Sequence, residues 1–188
     1  MEVLTKTELR LRLEEILTKI KNGAIFIHPT DTIYGISCNA LNHDAVKKVR
    51  DLKERPDTPF SVWVPSLAWI KKNCKTTPEI NMWLERLPGP YTLIFDLNNS
   101  EAIAKNVNPK SSSLGVRVPE HWFGNLVKEL NFPLITTSVN KSGHAFMTCL
   151  ENLDPEIEMA VDFMIYEGEK KAKPSKIVNF TNGTIKER

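Results

Sequence analysis

Near the amino terminus Leu9, Leu13, Ile16, Leu17 and Ile20 recur three or four residues apart, which places them on one face of an amphipathic helix. Thr5 and Glu8 stand ahead of them at capping-box spacing, and Asn22-Gly23 supplies a stop. The next apolar run, 24–27, is too short for a helix and predicts a buried strand. It leads into His28-Pro29-Thr30-Asp31-Thr32-Ile33-Tyr34-Gly35, a polar segment bounded by proline and glycine. Ala45, Val46, Val49 and Leu52 mark a second helix, and a strand over 60–64 follows the break at Lys53-Glu54-Arg55-Pro56. Thr77-Pro78 sets an N-cap with proline at the first helical position. Ile80, Trp83, Leu84 and Leu87 then share a face, and Pro88-Gly89-Pro90 closes that helix. Strands are expected over 92–97, 114–118, 134–138, 161–166 and 176–180, with a helix over 122–130 between them. Such intermingling argues for an α/β fold, a single-domain open twisted mixed sheet with flanking helices.

Composition narrows the picture without changing it. The 188 residues, 41% hydrophobic, suffice for one sizeable core, so a single domain over 1–188 is expected. Lys and Arg number 25 against 23 Asp and Glu, a net charge of +2. That balance is wrong for a surface that coats nucleic acid or membrane, and any anion site must be local. The basic stretch 169–176 reads as a solvated loop. Cys38, Cys74 and Cys149 are too widely spaced for a disulfide framework or a zinc site. The first residues hold no signal-like apolar core, and no stretch approaches the roughly 18 apolar residues of a membrane span. A soluble, cytoplasmic protein is the expectation.

Candidate chemistry collects at three places. Pro56 pushes Arg55 into extended or polyproline geometry. If Lys53 is extended too, both cations project on one side and can clamp phosphate, the arginine as a planar fork and the lysine as a mobile point charge. For Lys-x-Arg in isolation, two solvated charges at a helix exit is the stronger reading. In Leu114-Gly115-Val116-Arg117-Val118, alternation puts Leu114, Val116 and Val118 on one face and Gly115 and Arg117 on the other. Gly115 leaves room for a ligand or another backbone to approach closely, and a structural ion pair is an equal alternative for Arg117. Residues 134–143 pass from an apolar strand to hydroxyl and amide groups. There Ser138 and Asn140 share a face and could hold phosphate or ribose oxygens, although an ordinary capped strand-to-turn transition reads more strongly in isolation. No P-loop, GxGxxG or GxSxG spacing is present. His28, His43, His121 and His144 lack metal-ligand spacing, so no metal held by protein side chains is expected.

Taken in order, six segments resemble the YrdC/TsaC family, the threonylcarbamoyl-AMP synthase domain. His28 to Gly35 is similar to its PTDTVYGL, Lys53-Glu54-Arg55-Pro56 to KxRP, and Leu87-Pro88-Gly89-Pro90-Tyr91-Thr92 to LPGPxT. Gly115 to Pro119, Thr136 to Gly143, and Pro174-Ser175-Lys176-Ile177-Val178-Asn179 complete the set. The resemblance implies a concave basic cleft, with the family's KxR and SxN tetrad falling on Lys53, Arg55, Ser138 and Asn140. Lys53 and Arg55 would be catalytic and, with Ser138, Asn140 and Ser175, would bind the nucleotide. Thr30, Thr32, Tyr34 and Arg117 would form the threonine pocket. The implied reaction makes L-threonylcarbamoyladenylate and pyrophosphate from L-threonine, bicarbonate or CO2, and ATP, with Mg²⁺ carried on the phosphates. The product would serve N6-threonylcarbamoyladenosine formation in tRNA, through tRNA itself or a downstream transferase.

The chain departs from the family pattern in places. Trp63 stands where many relatives have histidine, and an indole cannot accept a proton. His144-Ala145-Phe146 replaces a proline-containing turn, and Lys176 replaces a threonine. These changes bear on the choice of amine. The chain also stops at Arg188, where longer relatives carry an extra C-terminal domain. A divergent paralogue using another amine or carbamoyl donor is therefore an alternative, as is a non-catalytic RNA-binding module.

Overall fold

The computed structural model describes residues 1–186. The end of the chain at Arg188 lies outside the described residues. Among the described residues ten strands form one sheet: β1 (Glu2–Leu4), β2 (Phe26–His28), β3 (Gly35–Ser37), β4 (Ser61–Trp63), β5 (Tyr91–Asp96), β6 (Ser113–Arg117), β7 (Leu134–Ser138), β8 (Phe163–Ile165), β9 (Lys176–Asn179) and β10 (Thr184–Lys186). Their order is β1-β8-β2-β3-β7-β4-β6-β5-β9-β10. The pairs β1/β8, β2/β8, β4/β6 and β5/β9 run parallel, and the remaining neighbours antiparallel. The helices are α1 (Lys6–Leu11), α2 (Leu13–Lys21), α3 (His43–Leu52), α4 (Leu67–Asn73), α5 (Pro78–Leu84), α6 (Gly124–Leu130) and α7 (Pro155–Ala160). None among the described residues is long and apolar enough to cross a membrane.

Alternation along the strands sorts side chains into two cores. Ile27, Ile36, Val62, Leu93, Phe95, Leu114, Val116, Ile135, Met164 and Val178 turn to one face, where α3, α4, α5 and α7 contribute Val46, Val49, Ile70, Ile80, Leu84 and Ile157. On the other face Phe26, Trp63, Leu134, Phe163 and Ile165 meet Leu9, Ile16, Leu17, Ile20, Leu126, Val127 and Leu130 from α1, α2 and α6. That second layer covers only part of its face. Ser61, Thr92, Ile94, Gly115, Thr136, Ile177 and Asn179 share the same face and line an open cavity instead.

The expected caps form: Thr5 Oγ1 accepts from the Glu8 amide at 3.2 Å while Glu8 accepts from the Thr5 amide at 2.7 Å, and Thr77 Oγ1 accepts from Ile80 N at 3.3 Å. Gly23 takes the left-handed conformation, φ +93°, that stops α2. The first helix is not continuous as the periodicity predicts. Arg12, at φ −112° and ψ 25°, separates α1 from α2, and its guanidinium ties Glu2 of β1 to Glu15 of α2. The helix expected over 122–130 begins later, at Gly124, and Leu87 lies beyond the end of α5, although its side chain is still buried.

Which face of the first helical stretch is buried can be tested directly. Ile16 is fully buried and Leu11 is 81% exposed. Ile16→Ala should cost about 2–4 kcal/mol in urea unfolding through lost burial and a residual cavity, whereas Leu11→Ala should stay within about 0.5 kcal/mol of wild type.

Candidate active site

A cavity of about 430 Å³ opens above strands β3, β7, β4, β6, β5 and β9. Seven of the residues singled out from the sequence line it: Thr30, Thr32, Tyr34, Arg55, Arg117, Ser138 and Ser175. Two, Lys53 and Asn140, do not, and sit immediately behind the end of β7.

Local backbone explains that division. Lys53 is not extended; it is the C-cap of α3, at φ −86° and ψ −2°, and Glu54 turns left-handed at φ 51° before Pro56. The same-side projection expected of Lys53 and Arg55 in one extended run is therefore absent. Lys53 is buried instead, and its ammonium donates to Ser138 O at 2.5 Å, Asn140 O at 2.6 Å and Asn140 Oδ1 at 3.1 Å. All three of its hydrogens are thereby used. Burial and the neighbouring Arg55 charge push the Lys53 pKa down to about 7, and the three oxygens oppose that by favouring the charged form. Ser138 Oγ donates to Asn140 Oδ1 at 2.6 Å, and Asn140 Nδ2 to His144 O at 2.7 Å. Lys53, Ser138 and Asn140 thus form one knot that fixes the carboxyl end of β7. Arg55 is half-buried on the cavity wall, its guanidinium near Thr137 Oγ1 at 3.5 Å and donating to Pro59 O at 3.1 Å.

On the opposite strand neighbours, Arg117 Nη2 donates to Asp31 Oδ1 at 2.8 Å in a largely buried ion pair, with Thr32 Oγ1 at 3.4 Å. Sequence reasoning passed over Asp31. Its signal was the lone carboxylate in an otherwise hydroxyl-rich segment, and only the fold sets it against Arg117, 86 residues away. Thr30 Oγ1 donates to Ile33 O at 2.7 Å, rounding the turn between β2 and β3. Tyr34 OH donates to Gly168 O at 2.6 Å and accepts from Glu167 N at 3.1 Å. Lys170 reaches Thr30 O at 2.9 Å and Glu167 at 2.6 Å. The first part of the 169–176 stretch is therefore pinned beside the cavity, not left as a solvated loop. Ser175 Oγ lies 2.7 Å from Thr92 Oγ1.

The sequence profile of the Sua5/YciO/YrdC family, described as telomere recombination, matches residues 18–187. The chain belongs to the Sua5/YciO/YrdC family. A curated family member from Methanocaldococcus jannaschii, named putative threonylcarbamoyl-AMP synthase, is 35% identical over 97% of this chain and 86% of its own length. The human threonylcarbamoyl-AMP synthase is 31% identical over 80% of this chain, which spans only 55% of that protein. Among solved Sua5/YciO/YrdC structures, Pyrococcus abyssi Sua5 complexed with L-threonine superposes with a TM-score of 0.83 at 25% identity, over 96% of this chain and 54% of that one. Escherichia coli YciO superposes with a TM-score of 0.84 at 19% identity, over 99% and 92%, a likeness of fold.

Against the family pattern, Trp63 proves to be a core residue. It is 1% exposed, belongs to the second core, and packs against His28 and Phe123 at ring-centroid distances of 5.5 and 5.6 Å. It does not line the cavity, so the indole is not placed to pack over a substrate there; Phe146 does line it. His28, fully buried, has its pKa pushed down to about 3 by desolvation and is held neutral.

Two outcomes follow. Trp63→Phe should lower the urea midpoint, by about 1–3 kcal/mol of stability, without changing which small ligand the folded protein prefers in calorimetric titration. Burial of Lys53 gives stability a pH dependence. The lysine's folded pKa lies below the unfolded value of 10.5, so below about 7 both states are charged and the burial cost is fully felt. Between about 7 and 10.5 the unfolded chain binds more protons, and stability rises with pH. The stability difference between wild type and Lys53→Met should therefore shift in favour of wild type across that window, and equal slopes for the two proteins would reject this assignment.

Proposed function

We propose that the protein is a nucleotidyltransferase that joins L-threonine, bicarbonate or CO2, and ATP into L-threonylcarbamoyladenylate with release of pyrophosphate. The observation that carries this reading is the convergence of Arg55, Ser138, Ser175, Thr30, Thr32, Tyr34 and Arg117 on one cavity. It does so in a chain aligned over 97% of its length with a relative named putative threonylcarbamoyl-AMP synthase. The bound L-threonine named for Pyrococcus abyssi Sua5 supports the amino-acid half of the site.

The chemistry needs no side-chain nucleophile. Threonine's amine adds to the carbon of CO2 and loses a proton, giving a carbamate. A carbamate oxygen then attacks the α-phosphorus, and the bond from that phosphorus to the bridging oxygen breaks as pyrophosphate leaves. The barrier lies in holding two anions together and stabilising charge on the phosphoryl oxygens. Arg55 supplies a planar fork to those oxygens, and Ser138 and Ser175 supply hydroxyls. Lys53 acts through Ser138 and Asn140, keeping the end of β7 in place beneath the phosphates. Thr30, Thr32, Tyr34 and Arg117 form the threonine pocket, with Asp31 fixing the Arg117 guanidinium and partly offsetting its charge. Among the described residues no three His, Cys, Asp or Glu side chains gather into a cluster. Mg²⁺ carried on the nucleotide phosphates would neutralise charge on the leaving pyrophosphate. The local cations make the cleft basic where the phosphates bind. The product passes in the cytoplasm to a tRNA adenosine through a separate transferase.

A second reading keeps the adenylate chemistry and changes the amine, and Phe146 on the cavity wall is the observation that favours testing it. Pyrophosphate release from ATP and bicarbonate, with L-threonine, L-serine or glycine, separates the two. Threonine-dependent release is expected, and Arg55→Ala should reduce kcat/KM about 10²–10³-fold by removing a donor to the phosphoryl oxygens. Equal rates with serine or glycine would select the second reading. RNA affinity that falls steeply with salt, without nucleotide turnover, would mark a binding module instead.

A further inference from the structure

Arg50 takes no part in the chemistry above, yet its side chain is tied to five main-chain carbonyls beside the cavity. It lies in the last turn of α3 and is 6% exposed. Its Nε donates to Asn106 O at 2.6 Å, its Nη2 to Val107 O at 2.9 Å, and its Nη1 to Arg55 O, Pro56 O and Thr58 O at 2.8, 3.1 and 3.1 Å. Among the described residues no carboxylate forms an ion pair with it, and Asp57 acts on it only through the field of its charge. Carbonyl dipoles turned towards a common point repel one another and, when buried, need a donor. This guanidinium thus ties the turn at 55–58 to the last turn of α3, and the Lys110–Asp57 ion pair at 2.7 Å holds the same turn from outside. The Arg50 guanidinium lies 4.6 Å over the Phe60 ring, and the Arg55 guanidinium lies over that ring at 5.5 Å. Arg55 N also donates to Arg50 O at 3.0 Å. Arg50 therefore grips Arg55 by both main-chain groups and shares its aromatic platform.

We propose that Arg50 is a positioning residue that sets the entry point and direction of the Arg55 side chain in the cavity, and so the affinity for the polyphosphate of ATP. This rests on the reading of the cavity as a nucleotide site. An arginine is needed because a lysine ammonium has three hydrogens on one atom and cannot span carbonyls on both 55–58 and 106–107.

The test is a double-mutant cycle read by calorimetric titration of ATP and, separately, of L-threonine, with circular dichroism to establish folding. Arg50→Lys should weaken ATP about 10-fold, the loss of roughly one charge-assisted contact, with threonine affinity changed less than about 2-fold. In an Arg55→Ala background the same substitution should add almost nothing, because its effect passes through Arg55. Equal losses in both backgrounds, or a parallel loss of threonine affinity, would overturn the proposal and leave Arg50 a purely structural residue. Should Arg50→Lys not fold, Arg50→Gln, which keeps two donors and drops the charge, is read in the same cycle. If neither folds, the purely structural role stands and the proposal is rejected. ATP binding by wild type that weakens with Arg55→Ala but not with Arg50→Lys sinks this proposal alone. Absence of ATP binding by wild type removes the nucleotide site as well.

Discussion

Everything in this molecule hangs on the two-residue period of its central strands. Each strand from β3 to β9 must bury one row of side chains beneath α3, α4, α5 and α7 while offering the other row to a face that helices only partly cover. A slip of one residue in any of them would send Val62, Leu93, Val116 or Ile135 into the cavity and bring Ser61, Thr92, Gly115 or Thr136 into the core. The open row is also small, which keeps the floor low. A Cβ on Gly115 would sit 3.3 Å from both Ser61 Cβ and Thr92 Cγ2, and one on Gly35 only 2.8 Å from Thr136 Oγ1. The cavity is thus the part of the sheet where small residues replace the Phe26, Trp63 and Phe163 that fill the neighbouring region.

Three cations are buried around that floor, and each is reconciled with burial differently. Isolated charges removed from water cost several kcal/mol unless polar partners replace the solvent. Lys53 collects oxygens from Ser138 and Asn140, Arg50 collects five carbonyls from two loops, and Arg117 pairs with Asp31. These arrangements fix the carboxyl end of β7, the 55–58 turn and the turn after β2 relative to one another. Arg55, more exposed than the other three, lines the cavity beside groups already held in place.

Much of this was legible in the sequence, because the signals were local. Capping at Thr5 and Thr77, the helical spacing of Ile16, Leu17 and Ile20, and the alternation around Arg117 depend only on neighbours a few residues away. The short elements β1, β3, β10, α4 and α7 left little periodic pattern, since three to seven residues hold at most two turns of helix or three strand positions. α7 buries only Ile157, so its Asp154-Pro155 start had no apolar stripe behind it to mark it as a helix.

The sequence by itself determined the class of fold, the family, and which polar segments meet at the cavity, because motif identity and strand alternation are written in adjacent residues. The tertiary structure alone decided that Lys53 lies behind the cavity while Arg55 lines it, that Trp63 belongs to the core, that Asp31 pairs with Arg117, and that Arg50 meets the carbonyls of 55–58. Those outcomes depend on partners 5 to 87 residues distant. They also depend on which carbonyls are left unpaired once the sheet has formed, and no spacing along the chain encodes that.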